Sequence, residues 1–201
     1  MVQIVLLHNG KTTGISEQRY IGITDEPLSE EGIAELQDRF SEGFYPLLSA
    51  VCSSPMQRCL QTAKILYPGF PPTVMEGFRP RSYGRYEGKS YIDLKDDAPY
   101  QSWVRSIGKL PFPDGEPEAE AKERYLTTFD ELANRLRSTM SPEIALRIGI
   151  ILHREIITTI LSERLPGHEN PLKYQLKNGE YFTINLTDTG IALVGRNTVK
   201  A

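Results

Sequence analysis

Apolar residues gather in short runs along this chain, and amphipathic stretches separate the runs. Residues 3–7 (QIVLL), 47–55 (LLSAVCSSP, ending at Ser53-Ser54-Pro55) and 146–152 (LRIGIIL) read as buried strands, each too short for a buried helix. Residues 72–78 (PTVMEGF) predict a third, shorter strand between the second and the fourth. In residues 27–40 (PLSEEGIAELQDRF), Ile33, Leu36 and Phe40 recur at helical spacing, and Ser29 is placed to cap the start. Residues 56–66 (MQRCLQTAKIL) predict a second helix with Met56, Leu60, Ala63 and Ile65 inward and Pro55 in its first turn. A long amphipathic helix over 116–138 turns Tyr125, Phe129, Leu132 and Leu136 to the core, and another covers 154–165. Residues 181–188 and 191–196 predict two strands joined at Asp188-Thr189-Gly190 as a hairpin.

Strands alternating with helices imply an α/β protein: a three-layer α/β/α sandwich around a mostly parallel sheet, with the hairpin as an antiparallel edge. Residues 11–29 read as a loop. Residues 77–117 are rich in aromatics, prolines and glycines, among them Tyr83, Tyr86, Tyr100, Trp103 and Phe112. A linker is poor in aromatics, so this stretch is expected to be an inserted cap within a single domain spanning 1–201. Three strands end in polar residues: His8-Asn9, Ser53-Ser54 with Arg58 just beyond, and His153. Ligands of open α/β sheets bind at that carboxyl edge.

Composition narrows the function classes. The 201 residues carry a net charge of −3 and 39% hydrophobic residues, with no basic footprint for nucleic acid. No run approaches the ~20 apolar residues of a membrane helix, and the N-terminus does not read as a signal peptide, so a cytoplasmic location without a membrane partner is expected. Two cysteines, Cys52 and Cys59, are too few for a disulfide scaffold and read as small buried hydrophobes.

The polar strand ends supply the candidate chemistry. An arginine in the first turn of a helix opposes the helix dipole, so Arg58 carries a small penalty there. A bound phosphate would relieve it, because a guanidinium fork and a helix terminus both favour that anion. His8 and His153 each close a buried strand of one sheet, which links them. No carboxylate or cysteine cluster accompanies either, so no metal and no other cofactor is expected. His168 reads as surface.

The segments LLHNGKT (6–12), RYIGITDEPLSEEG (19–32), SSPMQRCLQTA (53–63), SYGRYEG (82–88) and ILHREI (151–156) fall in the order and spacing of the histidine phosphatase superfamily, the phosphoglycerate-mutase-like proteins, which the whole chain resembles. Residues 82–104, followed by PFPDGE, look closest to the alpha-ribazole phosphatases. The resemblance implies a metal-free reaction in which a histidine takes a phosphoryl group and passes it to water or another hydroxyl. Two arginines and a second histidine hold the phosphate, and a carboxylate protonates the leaving oxygen. Arg58 and His153 fall on family positions.

Elsewhere the sequence departs from that pattern. His8 stands where the first arginine belongs, and Asn9 where the nucleophile belongs. Pro80 stands in place of the acid, and Arg154 and Glu155 replace two glycines after the second histidine. An amide cannot form the phosphoryl-imidazole intermediate, and proline has no proton to give. The expected function is therefore a degenerate histidine phosphatase that binds a phosphorylated or other anionic small molecule through Arg58, His153, His8 and Asn9. Gly10, Lys11, Thr24, Arg154 and Glu155 are expected to line its pocket, with Lys11 helping to neutralise phosphate charge. The alternative is an active phosphoester hydrolase with a relocated nucleophile, His8, and a proton from Glu155 or Glu76. Arg154 either fills the pocket or points into it as a substitute for the missing arginine, and Glu155 either pairs with it or repels phosphate.

Overall fold

The computed structural model describes residues 1–106, 110–139, 145–167 and 170–198. His168 lies outside the described residues. Six strands form one sheet in the order β3-β2-β4-β1-β5-β6. They are β1 (Val2–His8), β2 (Ala50–Ser53), β3 (Thr73–Val74), β4 (Leu146–Leu152), β5 (Tyr181–Leu186) and β6 (Ile191–Asn197). The pairs β3–β2, β2–β4 and β4–β1 are parallel, and β5 and β6 add the antiparallel edge. Seven helices accompany them among the described residues: α1 (Thr13–Ser16), α2 (Glu30–Ser41), α3 (Gln57–Leu66), α4 (Tyr91–Leu94), α5 (Ala98–Arg105), α6 (Glu118–Ser138) and α7 (Arg154–Arg164).

Side chains alternate across a strand, and β1 divides its apolar residues accordingly. Val2, Ile4 and Leu6 join Tyr125 and Phe129 of α6 and Ile156 and Ile160 of α7 in one core. Val5 and Leu7 join Leu36 of α2 and Cys59, Ala63 and Leu66 of α3 in the other. Helices therefore cover both faces of the sheet, the expected three layers. Ser29 caps α2 by accepting from the Gly32 N–H at 3.0 Å.

Several local expectations are corrected. The loop over 11–29 contains the short helix α1, capped by Thr12. The strand at 72–78 shrinks to Thr73–Val74, both exposed. Helix α3 starts at Gln57 with Met56 as its cap residue, so Pro55 precedes the first turn. The buried face of α3 is Arg58, Cys59, Thr62, Ala63 and Leu66, while Leu60 and Ile65 are half-buried. Phe40 is exposed, whereas Leu36 is buried.

In the aromatic stretch, Tyr86, Leu94, Tyr100 and Phe112 form a third buried cluster, with Tyr20, Tyr83 and Trp103 packed on it. No helix of the described residues is long and apolar enough to cross a membrane.

Candidate active site

The carboxyl ends of β1 and β4 and the start of α3 open into a cleft of about 1170 Å³. His8, Asn9, Arg58, His153, Arg154 and Glu155 all line it, and so do Lys11 and Pro80. Gly10 and Thr24 do not. Gly10 sits behind the wall, where its N–H donates to Thr62 Oγ1 at 3.0 Å. Thr24 serves through its carbonyl, which accepts from Arg58 at 2.9 Å.

Arg58 is almost fully buried at the start of α3, and its guanidinium is held by the chain itself. Nη1 and Nη2 donate to the carbonyls of Thr24 and Gly22 at 2.9 and 2.8 Å, and Nε makes a long 3.4 Å bond to His153 Nδ1. With Nδ1 accepting, the neutral His153 ring carries its proton on Nε2, which donates to Ser54 Oγ at 2.8 Å. Burial, and then the Arg58 charge, hold the His153 pKa well below the ordinary value.

His8 closes β1, beside Asn178, whose Nδ2 lies 3.4 Å from Nε2. Its Nδ1 is buried without a hydrogen-bond partner among the described residues. Burial, followed by the charge of Arg154, lowers its pKa to about 4, against the opposing pull of the Lys177 and Leu176 backbone. Both imidazoles are therefore neutral at pH 7. Asn9 donates from Nδ2 to the Gly10 carbonyl at 2.8 Å, and its buried Oδ1 has no hydrogen-bond partner among the described residues.

The other expected pocket groups behave differently from one another. Lys11 is turned into a surface network, with Nζ 2.8 Å from Glu31 and 2.6 Å from Glu35. Its charge is already neutralised, which corrects the expectation that it serves phosphate. Glu155 pairs with Arg81 at 3.5 Å rather than with Arg154, and burial raises its pKa. Glu76 is exposed in a single 3-10 turn and does not line the cleft. Arg154 is exposed and has no ion-pair partner among the described residues.

Among the described residues, seven basic and four acidic side chains line the cleft. Each of the four carboxylates has a cation within salt-bridge distance: Glu35, Glu118, Glu155 and Glu163. Of the seven cations, Lys11, Arg19, Arg39 and Lys122 are paired. Arg58, Arg154 and Lys177 are left without a carboxylate among the described residues. An excess of fixed positive charge in a concave site favours an anionic ligand.

Three organising residues escaped the sequence reading. The Glu87 carboxylate accepts from the N–H groups of Gly22, Ile23, Thr24 and Tyr83 and from the Thr24 hydroxyl, fixing the loop whose carbonyls hold Arg58. Asn178 donates to the carbonyl of Asn9 at 2.9 Å. Thr62 accepts from Gly10 and donates to the Arg58 carbonyl at 2.6 Å. The Asn178-Gly179 turn just before β5, with Gly179 at φ 75°, was the one readable signal among them.

A mostly parallel sheet between two helical layers, with a cationic cleft at its carboxyl edge, defines the class as a three-layer α/β protein. The family model for the histidine phosphatase superfamily (branch 1) matches residues 4–199, and the chain belongs to that superfamily. Solved structures agree on the fold. A putative alpha-ribazole-5'-P phosphatase from Escherichia coli str. K-12 superimposes with a TM-score of 0.84 at 17% identity, covering 98% of this chain and 96% of that one. A phosphoserine phosphatase mutant from Entamoeba histolytica in complex with phosphoserine gives 0.76 at 22% identity, covering 98% and 97%. A phosphoglycerate mutase from Thermus thermophilus gives 0.68 at 22% identity, covering 98% and 99%. No curated protein matches the sequence.

Proposed function

We propose that this protein binds a phosphorylated or otherwise anionic small molecule in the cleft and has given up the phosphohistidine step. The observation that carries this reading is Asn9, an amide in the nucleophile's place, in a cleft with three uncompensated cations. Loss of an activated nucleophile costs on the order of 10⁶ in turnover, roughly 8 kcal/mol of barrier. Pro80 removes the acid as well, itself an effect of about 10² to 10⁴. The alpha-ribazole phosphatases and the phosphoserine complex among the similar structures support a phosphate monoester as the ligand class.

Two assays test the proposal together. Phosphate, vanadate and tungstate are expected to raise the thermal midpoint, since a ligand of the folded state alone stabilises it. Hydrolysis of p-nitrophenyl phosphate and alpha-ribazole phosphate is expected to stay at background. Turnover within tenfold of an ordinary family member, abolished by His153→Ala, ends this reading.

The neutral imidazole of His8 lining the cleft favours one competing reading, an active phosphoester hydrolase. In it the neutral ring attacks phosphorus and the ester P–O bond breaks toward the leaving oxygen. That oxygen takes its proton from Glu155, and water then cleaves the phosphohistidine. Rapid quench during turnover would trap an acid-labile phosphoryl group on His8 that is missing from His8→Gln.

A further inference from the structure

We propose that Arg154 is the anion-binding arginine of this cleft, replacing from the β4 side the cation absent at position 8 on β1. The inference rests on the reading of the cleft as an anion site and names the residue that gives it its reach.

The placement comes from the sheet. Strands β1 and β4 are parallel neighbours, and His8 lies opposite Leu152. Arg154 follows that row by two residues, as the first residue of α7. It lines the cleft together with His8, Asn9 and Arg58. Burial is the larger cause of the lowered His8 pKa, and the Arg154 charge across the strand ends adds to it.

The charge at position 154 is uncompensated in two ways. Its neighbour Glu155 is engaged with Arg81 and leaves it free. Its position in the first turn of an eleven-residue helix places a cation at the positive end of the helix dipole, which is unfavourable. An oxyanion between Arg154 and the Arg58 end of the cleft would remove both penalties. A guanidinium fork suits such a ligand because it donates two parallel hydrogen bonds to one phosphate.

The other arginines of the cleft are occupied. Arg19 pairs with Glu17 and Arg39 with Glu35, while Arg58 is tied to the carbonyls of Gly22 and Thr24. Arg154 is the only guanidinium among the described lining residues with neither tie. Lys177 is the remaining free cation and serves as the internal comparison.

The test is calorimetric titration of inorganic phosphate and of vanadate into wild type, Arg154→Gln and Lys177→Gln. Arg154→Gln is expected to weaken both anions at least tenfold and Lys177→Gln less than threefold. In the unliganded Arg154→Gln protein the thermal midpoint should hold or rise, because the dipole penalty is gone, and the His8 resonance should titrate at higher pH. The double variant His8→Arg with Arg154→Gly returns the cation to β1 and should recover affinity to within threefold of wild type. Wild-type affinity in Arg154→Gln overturns the assignment and leaves the anion site standing. No binding of either anion by the wild-type protein overturns the functional reading, and this assignment with it.

Discussion

His8 turns a local packing detail into a pH-dependent property of the whole protein. Its folded pKa of about 4 lies below the ordinary 6.5 that it regains on unfolding. Between those values the unfolded chain binds a proton that the folded chain refuses. Stability is therefore full above about pH 6.5 and is lost as the pH falls toward 4, by on the order of 3 kcal/mol from this residue. His153, lowered by burial, acts in the same direction. Urea unfolding at pH 7.5, 5.5 and 4.5 should show this decline, and His8→Gln should flatten it; parallel profiles for the two proteins would remove His8 as the cause. At this scale the sequence carried the site's main residues, because a polar side chain closing an apolar strand is a local signal. It could not carry Lys11, whose fate depends on Glu31 and Glu35, 20 and 24 residues away.

Elements were legible where burial and hydropathy coincide. Strands β1 and β4 match their apolar runs, and α2 begins at its expected cap. The face of α3 was misread because Arg58 and Thr62 are buried there, held by polar partners that hydrophobic periodicity cannot register. The loop at residues 22–24 shows the same principle. It has no regular structure, yet four of its donors are fixed on Glu87, which also accepts from the Tyr83 N–H. A carboxylate offers two oxygens with several lone pairs, whereas an amide offers one oxygen and two hydrogens that would face other donors. Glu87→Gln is expected to cost about 2 kcal/mol in denaturant unfolding. It should also weaken phosphate binding, because the Gly22 and Thr24 carbonyls would no longer hold Arg58. Wild-type stability in that variant would mean the loop is set by other contacts. Gly22 is confined as well: a Cβ there would collide with the Arg81 carbonyl oxygen.

Across the whole molecule, two core clusters share the sheet and a third stands beside the cleft. Its aromatics pack mainly on one another: Trp103 and Phe112 lie 4.5 Å apart by ring centroid, and Tyr86 and Phe112 5.1 Å. Tyr20 and Tyr83 belong to this cluster and also line the cleft. The cations, by contrast, are seated on α3, on α7 and in the turn before β5. A ligand should therefore take its charge recognition from the sheet edge and its side wall from the third cluster. Phe112→Ala separates the two. Removing a buried phenyl ring costs about 3–5 kcal/mol, and here the loss falls on a cluster with its own set of contacts. Amide exchange should accelerate over residues 84–105 while β1 and β4 keep their protection, the pattern of a locally opening unit. Inorganic phosphate, which needs only the cations, should bind within about threefold of wild type, since a change near 0.6 kcal/mol is all a remote repacking transmits to it. A larger phosphate ester should lose more. Uniform loss of protection across the sheet would instead make the aromatic cluster part of one cooperative core, and the cleft's wall and floor a single structure.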